Sequence, residues 1–225
     1  MNRTSPIQII FILGICIHGL TVSMGQEFFE IRGRAVDSDS GDTLSVRLYI
    51  ESETGDFFHA VSGSREGKAI PYSKIRNNGS IEVHTSLSAH PFVAKLLPRE
   101  YTISAERGKE YLAASKQLIV SRNGEPEEIT LSLKRWINMA ERGWYSGETH
   151  VHRTVEELPT LMLAEDLNVA FPLTAWVTDT QATPNLNSKN PDPVPPAKLI
   201  GVDSTHVIWP VNTEYEIFTV NQFRV

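Results

Sequence analysis

The sequence predicts a β-sandwich followed by the beginning of an α/β barrel. Two observations lead to this fold class. Short runs of alternating apolar and polar residues, separated by turn signals, fill residues 27–134. A strand, a helix and a second strand then follow one another within residues 143–179. A further apolar run, near the N-terminus, lies outside both of these segments.

The first 25 residues have the composition of a secretory signal peptide. Arg3 provides a positive start, and an almost unbroken apolar run follows at Ile7–Leu20. Ser23 and Gly25 then give the small-x-small pattern of a cleavage site. The run has roughly 14 residues, whereas a membrane-spanning helix needs about 20. We therefore expect a secreted or periplasmic protein with no membrane span after cleavage; an uncleaved N-terminal anchor is the alternative.

Composition restricts the class of partner. Hydrophobic residues make up 40% and charged residues 21% of the 225 residues, as in an ordinary globular protein. The net charge is −6, from 21 basic and 27 acidic side chains, and no basic run stands out. A nucleic-acid partner is therefore not expected. The single cysteine, Cys16, lies in the predicted signal peptide, so the mature chain forms no disulfides.

Residues 27–134 carry the pattern of an all-β domain. Phe28–Asp37 and Leu44–Ser52 alternate as strands do, with a turn at Ser38–Asp42 between them. Five more strands are expected, at "SIEVHT", "HPFVAKL", "YTISAER", "KQLIVSR" and "EEITLSL". Seven or eight short strands without a convincing helix predict a β-sandwich of roughly 105 residues.

Two segments of this domain resemble a known module. "IRGRAVDSDSGDTLSVRLYI" and "LLPREYTISAERGKEY" are similar to the carboxypeptidase regulatory-like, transthyretin-like sandwiches. The resemblance implies an accessory module and points to no catalytic group. His59, His84 and His90 lack the spacing of metal ligands, so we expect ordinary packing at the surface or at strand ends.

A pair of histidines opens the second segment, residues 136–225. In the strand "GETHVH", His150 and His152 point to one side and Val151 to the other. Two imidazoles on one face of a strand end can converge on one metal ion, although two such histidines also commonly pack or face water. Thr154 and Glu157 form a capping box for a predicted helix. That helix lies in Thr154–Ala170, and later strands are expected at Val169–Asp179 and, as one or two strands, in His206–Val220.

The segment "GWYSGETHVH" resembles the first metal motif of the polymerase-and-histidinol-phosphatase (PHP) metallohydrolases, in their secreted branch related to carbaryl hydrolase. The resemblance implies that His150 and His152 bind a divalent metal such as zinc, manganese or iron. "VNTEYE" is similar to a later segment whose glutamate bridges two metals, and Glu214 fits this position best, with Glu216 second. Glu148 stands where aspartate is usual.

One family ligand is missing from the sequence. The family's "T-D-H" appears as Thr178-Asp179-Thr180, which leaves Asp179 as a candidate ligand and removes the histidine. His206 is a candidate to replace it.

By resemblance, the function is that of a secreted metal-dependent hydrolase of a small phosphoester or a carboxyl or carbamate ester. A barrel of this type needs roughly 250 residues, so residues 136–225 predict an incomplete one. The chain is then inactive alone, its catalytic residues stay unassigned, and the missing C-terminal half of the barrel is a partner. The alternative is a secreted, non-catalytic β-sandwich binding module with a truncated, vestigial barrel. We expect the four tryptophans to pack in the core or between domains: Trp136, Trp144, Trp176 and Trp209.

Overall fold

A computed structural model describes residues 27–77, 79–122, 128–177 and 195–215. About half of these residues lie in β-strands and there is one α-helix among them, which confirms a mainly β fold. The predicted signal peptide and two candidate ligands, Asp179 and Glu216, lie outside the described residues.

Eleven short and medium-length strands occupy residues 29–135 of the described chain. In chain order they are β1 (Phe29–Asp37), β2 (Val46–Ser52), β3 (Phe57–Phe58), β4 (Val61–Ser62), β5 (Ala69–Ile75), β6 (Ile81–Leu87), β7 (Phe92–Leu96), β8 (Glu100–Glu106), β9 (Tyr111–Leu112), β10 (Ala114–Ile119) and β11 (Glu128–Arg135). One sheet has the spatial order β4-β7-β1-β11-β9, and the other has β10-β8-β2-β6-β5 with β3 beside β2.

The two sheets share one apolar core. Val46, Leu48 and Ile50, the inward face of β2, are each at most 1% exposed, as their alternation predicts. From the other sheet, Phe92 and Leu131 join the same cluster. Two layers that bury alternate residues against each other form a sandwich.

Strand β5 is absent from the sequence prediction. It contains Pro71, and most of its side chains are exposed, so its alternation is weak. It is the outermost strand of its sheet among the described residues, where a proline is tolerated. This edge strand borders the candidate site described below.

After residue 135 the chain forms a second unit with its own small core. Its elements are a 3₁₀ turn (Ala140–Arg142), β12 (Gly147–Val151), α1 (Leu158–Ala164), β13 (Val169–Pro172), β14 (Ala175–Val177), β15 (Ile200–Gly201), β16 (Val207–Ile208) and β17 (Thr213–Tyr215). A four-stranded sheet has the order β12-β13-β16-β15, in which the first three strands are parallel. Strands β14 and β17 form a separate parallel pair. Within the described residues these strands do not close into a barrel.

Helix α1 connects the parallel strands β12 and β13 and is shorter than predicted. Thr154 and Glu157 exchange the two hydrogen bonds of a capping box, at 3.3 and 3.4 Å, on the turn before the helix. Asp166, at φ 50°, adopts the left-handed conformation that ends the helix. The predicted box is therefore present, but the helix has only two turns.

The prediction of one strand over Val169–Asp179 is wrong. The segment divides into β13 and β14, which lie in different sheets. The N–H groups of Thr174 and Ala175 both donate to the carbonyl of Asn212 at 3.1 Å, which directs the chain toward β17. Pro172, with no N–H to donate, precedes this change of direction.

The prediction for the tryptophans is wrong at two positions. Trp176 is fully buried and Trp209 half-buried, but Trp136 and Trp144 are 59% and 70% exposed. The indole N–H of Trp136 donates to the carbonyl of Lys109 at 2.9 Å, which fixes the ring on the surface. An indole can thus be ordered by one hydrogen bond without being buried.

The two units are joined at the end of helix α1, which packs against β2, β5 and β6 of the sandwich. The buried carboxylate of Asp166 accepts hydrogen bonds from Arg107 at 2.9 Å and from Arg135 at 2.8 and 3.0 Å. Gly108 contacts the same helix end, where an added Cβ would collide with the carbonyl oxygen of Glu165. A paired charge and close backbone contact hold helix and sandwich in one arrangement.

Candidate metal site

The candidate site begins at the carboxyl end of β12. Val151 packs against the small core of the second unit, so His150 and His152 face the opposite side. Their side chains are 58% and 39% exposed. The ring centroids are 5.0 Å apart, and the two Nε2 atoms approach to 3.1 Å. The predicted convergence of the two imidazoles is present.

Glu214 completes the cluster from β17. Its Oε1 lies 3.5 Å from Nε2 of His150, and its Oε2 lies 3.4 Å from Nε2 of His152. The Glu214 side chain is 17% exposed, whereas both imidazoles are open to solvent. The structure thus brings together the three residues that the sequence ranked first as ligands.

Neighbouring side chains hold Glu214 and β17 in place. Trp176 is the register partner of Glu214 in the β14–β17 pair, and its indole Nε1 donates to Oε2 of Glu214 at 2.8 Å. The Trp176 ring also stacks on His152, with centroids 6.4 Å apart. Asn212, just before β17, donates its amide N–H groups to the carbonyls of Thr149 at 2.8 Å and Phe171 at 3.2 Å. These contacts tie the carboxylate to the strand that carries the histidines.

The spacing of the donor atoms fits a divalent metal ion. Ligand atoms about 2.1 Å from a tetrahedral zinc lie about 3.4 Å from one another. The two Nε2 atoms are 3.1 Å apart, and each lies 3.4 or 3.5 Å from a different oxygen of the Glu214 carboxylate, which is close to this edge length. One donor atom from each residue lies within 4.8 Å of the other two. Two histidines and a glutamate with an exposed side form a donor set typical of catalytic sites, in which the fourth position takes water or substrate.

Glu148 has a local structural role. Its Oε1 accepts a hydrogen bond from the backbone N–H of His150 at 2.9 Å. Such a bond steadies the backbone of β12 next to the first candidate ligand. Glu148 therefore supports His150 through the main chain.

His206 does not join the cluster. It lies just before β16, and because β12, β13 and β16 are parallel, this is the edge of the sheet opposite to His152. Its Nδ1 is held by the carboxylate of Asp203 at 2.8 and 2.9 Å, and the residue is 4% exposed. The structure therefore gives His206 a packing position at the amino end of the sheet.

An open cleft of about 640 Å³ adjoins the cluster. One side includes His150, His152 and Arg153, and the other includes Tyr72 and Lys74 from β5 of the sandwich. The sequence predicted no catalytic or binding residue in the sandwich. Its contribution depends on how the two units pack, and no local signal in the sequence reveals that.

Comparisons with protein-family models, with curated proteins and with solved structures found no match. In the described part of the chain, no helix has the length and apolar character needed to cross a membrane.

Proposed function

We propose that this chain belongs to an exported, metal-dependent hydrolase that cleaves a small phosphoester or a carboxyl or carbamate ester. His150, His152 and Glu214 hold the divalent metal. When bound there, such an ion activates water for hydrolysis near neutral pH. The observation that carries this proposal is the convergence, at an open position, of two imidazole Nε2 atoms 3.1 Å apart with the Glu214 carboxylate, whose two oxygens lie 3.5 and 3.4 Å from them.

The position of the cluster in the fold supports the proposal. His150 and His152 lie at the carboxyl end of β12, the first strand of a parallel β-α-β unit. Active sites of α/β barrels and open α/β sheets are built at the carboxyl ends of parallel strands. On this proposal the second unit is the beginning of a PHP-like α/β barrel, and residues 27–134 are its regulatory-like sandwich.

The N-terminal composition supports export. The apolar run at Ile7–Leu20 and the small residues Ser23 and Gly25 are typical of a cleaved signal peptide. The hydrolase would therefore meet its substrate outside the cytoplasm.

Metal titration tests the proposal. In calorimetric titrations with Zn²⁺ and with Mn²⁺, we expect the chain to bind the divalent ion at this cluster, with one ion for each cluster of three ligands. His150→Ala, His152→Ala and Glu214→Ala should each weaken binding by about tenfold or more, because each removes one of three ligands. His90→Ala, which replaces a half-buried histidine bonded to Ser88, is the matched control and should bind as the parent does.

Equal metal binding by the parent and by a His150→Ala, His152→Ala double variant would contradict the proposal. The chain would then be better described as a non-catalytic β-sandwich binding module.

A further inference from the structure

A second cavity lies between helix α1 and the sandwich. It has a volume of about 250 Å³. On the side of the helix, its wall includes the apolar residues Leu158, Leu161 and Met162, with Glu165 at the end of the helix. The sandwich contributes Tyr72 from β5 and His84 from β6, whose rings stack with centroids 5.2 Å apart. An apolar pocket with a few polar groups is the usual form of a small-ligand site.

This cavity is adjacent to the cleft at the histidines. Four residues line both: Tyr72, Glu148, Val151 and Arg153. In the described chain, β12 pairs with β13 alone, so its other edge is unpaired, and its residues Glu148 and Val151 line both cavities. A ligand that passes this edge reaches the apolar pocket at one end and the metal cluster at the other.

The walls of the pocket are held in place. Arg153 lies over the ring of Tyr72, 5.3 Å from its centroid, and so connects the second unit to the sandwich beside the pocket. The buried pairs of Asp166 with Arg107 and Arg135 fix the end of the helix. When the walls of a pocket are already ordered before the ligand binds, less binding free energy is lost in ordering them.

We propose that this pocket binds an apolar, ring-sized group of the substrate, so that the sandwich determines specificity at the metal site. The assignment to a substrate rests on the proposed hydrolase function. A cavity of about 150 Å³ with apolar walls is large enough to bind benzene. The 250 Å³ pocket therefore has room for one substituted ring. The ester linked to that ring would lie in the cleft, beside His150 and His152.

Fluorine NMR with 4-fluorobenzyl alcohol tests the proposal on the full chain. We expect the probe to bind without metal. Leu161→Trp, which fills the pocket, should weaken binding by about tenfold or more, equivalent to about 1.4 kcal/mol. Leu163→Trp is the matched control, because Leu163 is a half-buried residue of the same helix that is not among the pocket-lining residues described. Tyr72→Ala removes the wall on the sandwich side and should also weaken binding.

Paramagnetic Mn²⁺ then tests whether pocket and cluster serve one ligand. Bound Mn²⁺ should speed the fluorine relaxation of the bound probe in the parent, and this effect should disappear in the His150→Ala, His152→Ala double variant. That variant should still bind the probe.

Three results would overturn the proposal: no probe binding, equal binding by Leu161→Trp, or a bound probe that bound Mn²⁺ does not relax. If Mn²⁺ itself fails to bind, as read by electron paramagnetic resonance, the proposed function fails, and the assignment of the pocket to its substrate fails with it.

Discussion

The indole Nε1 of Trp176 donates a hydrogen bond to Oε2 of Glu214 at 2.8 Å. Trp176 is fully buried, and its ring also stacks on His152, so one rigid side chain orients two of the three candidate ligands. Partners of this kind fix the direction of a ligand's lone pairs and tune its affinity for metal.

Replacing Trp176 with phenylalanine tests this role. Trp176→Phe keeps an aromatic ring in the core but removes the hydrogen bond to Glu214. We expect Zn²⁺ affinity to fall by roughly 10- to 100-fold, the usual effect of losing a partner that orients a ligand. Calorimetric titration measures the affinity, and urea unfolding measures any loss of stability. Trp209→Phe, at a half-buried tryptophan, is the control; equal Zn²⁺ affinity in both variants would contradict the assigned role.

The charge of Asp166 stabilises the contact between the end of helix α1 and the sandwich. Asp166→Asn keeps the side-chain size and tolerates the positive φ, but among the described residues it leaves Arg107 without a carboxylate and Arg135 with Glu110 alone. Because Arg135 is partly exposed, we expect unfolding free energy to fall by roughly 2 to 4 kcal/mol in urea titrations, near the lower end for a broken buried pair.

The exposed pair Lys68–Glu156 supplies the matched control for Asp166. Both side chains are more than half exposed, so Glu156→Gln should cost less than about 1 kcal/mol. Equal losses for the two variants would mean that burial of the Asp166 charge is unimportant.

Gly108 is required by its backbone conformation and by its neighbour. At φ +51°, a residue such as alanine is strained by about 1 to 2 kcal/mol, and its Cβ would also collide with the carbonyl of Glu165. Gly41→Ala is the matched control, because Gly41 has φ +79° with nothing within 4 Å of an added Cβ. In urea unfolding, Gly108→Ala should therefore be more destabilising than Gly41→Ala. The reverse order would exclude close packing between Gly108 and the end of helix α1.

The buried His84 makes stability depend on pH. Burial lowers the pKa of His84 below its usual 6.5, although the hydrogen bond to Glu82 opposes the shift. The folded state therefore binds fewer protons than the unfolded chain as pH falls. The stability contribution is fully present above pH 6.5 and is lost as pH falls from there toward the lowered pKa.

His84→Phe isolates this contribution while keeping an aromatic ring between Tyr49 and Tyr72. Unfolding free energies of parent and variant should be compared at pH 7.5 and pH 5. Stability of the parent relative to the variant should be lower at pH 5. A difference that does not change with pH would show that His84 takes up protons equally in both states.

Local patterns in the sequence predict several features well. Alternation identifies the inward face of β2, because a strand's side chains alternate wherever the strand lies. The spacing of Thr154 and Glu157 predicts a reciprocal pair of hydrogen bonds that needs only one turn of chain. The same reasoning places His150 and His152 on one face.

Other features have no local signal. The change of direction between β13 and β14 depends on hydrogen bonds to the carbonyl of Asn212, far along the chain. Strand β5 is exposed and contains a proline, so its sequence lacks the alternation of a half-buried strand.

By itself, the sequence determined which residue types were available: two histidines on one face of a strand and a later glutamate of the right chemistry. The tertiary structure alone decided that Glu214, rather than His206, meets those histidines. Because β13 and β16 are parallel, His206, just before β16, lies at the opposite edge of the sheet. The pairing of β17 with β14 places Glu214 beside the two histidines. Such pairings join residues far apart in sequence, and their free energy depends on packing across the whole unit.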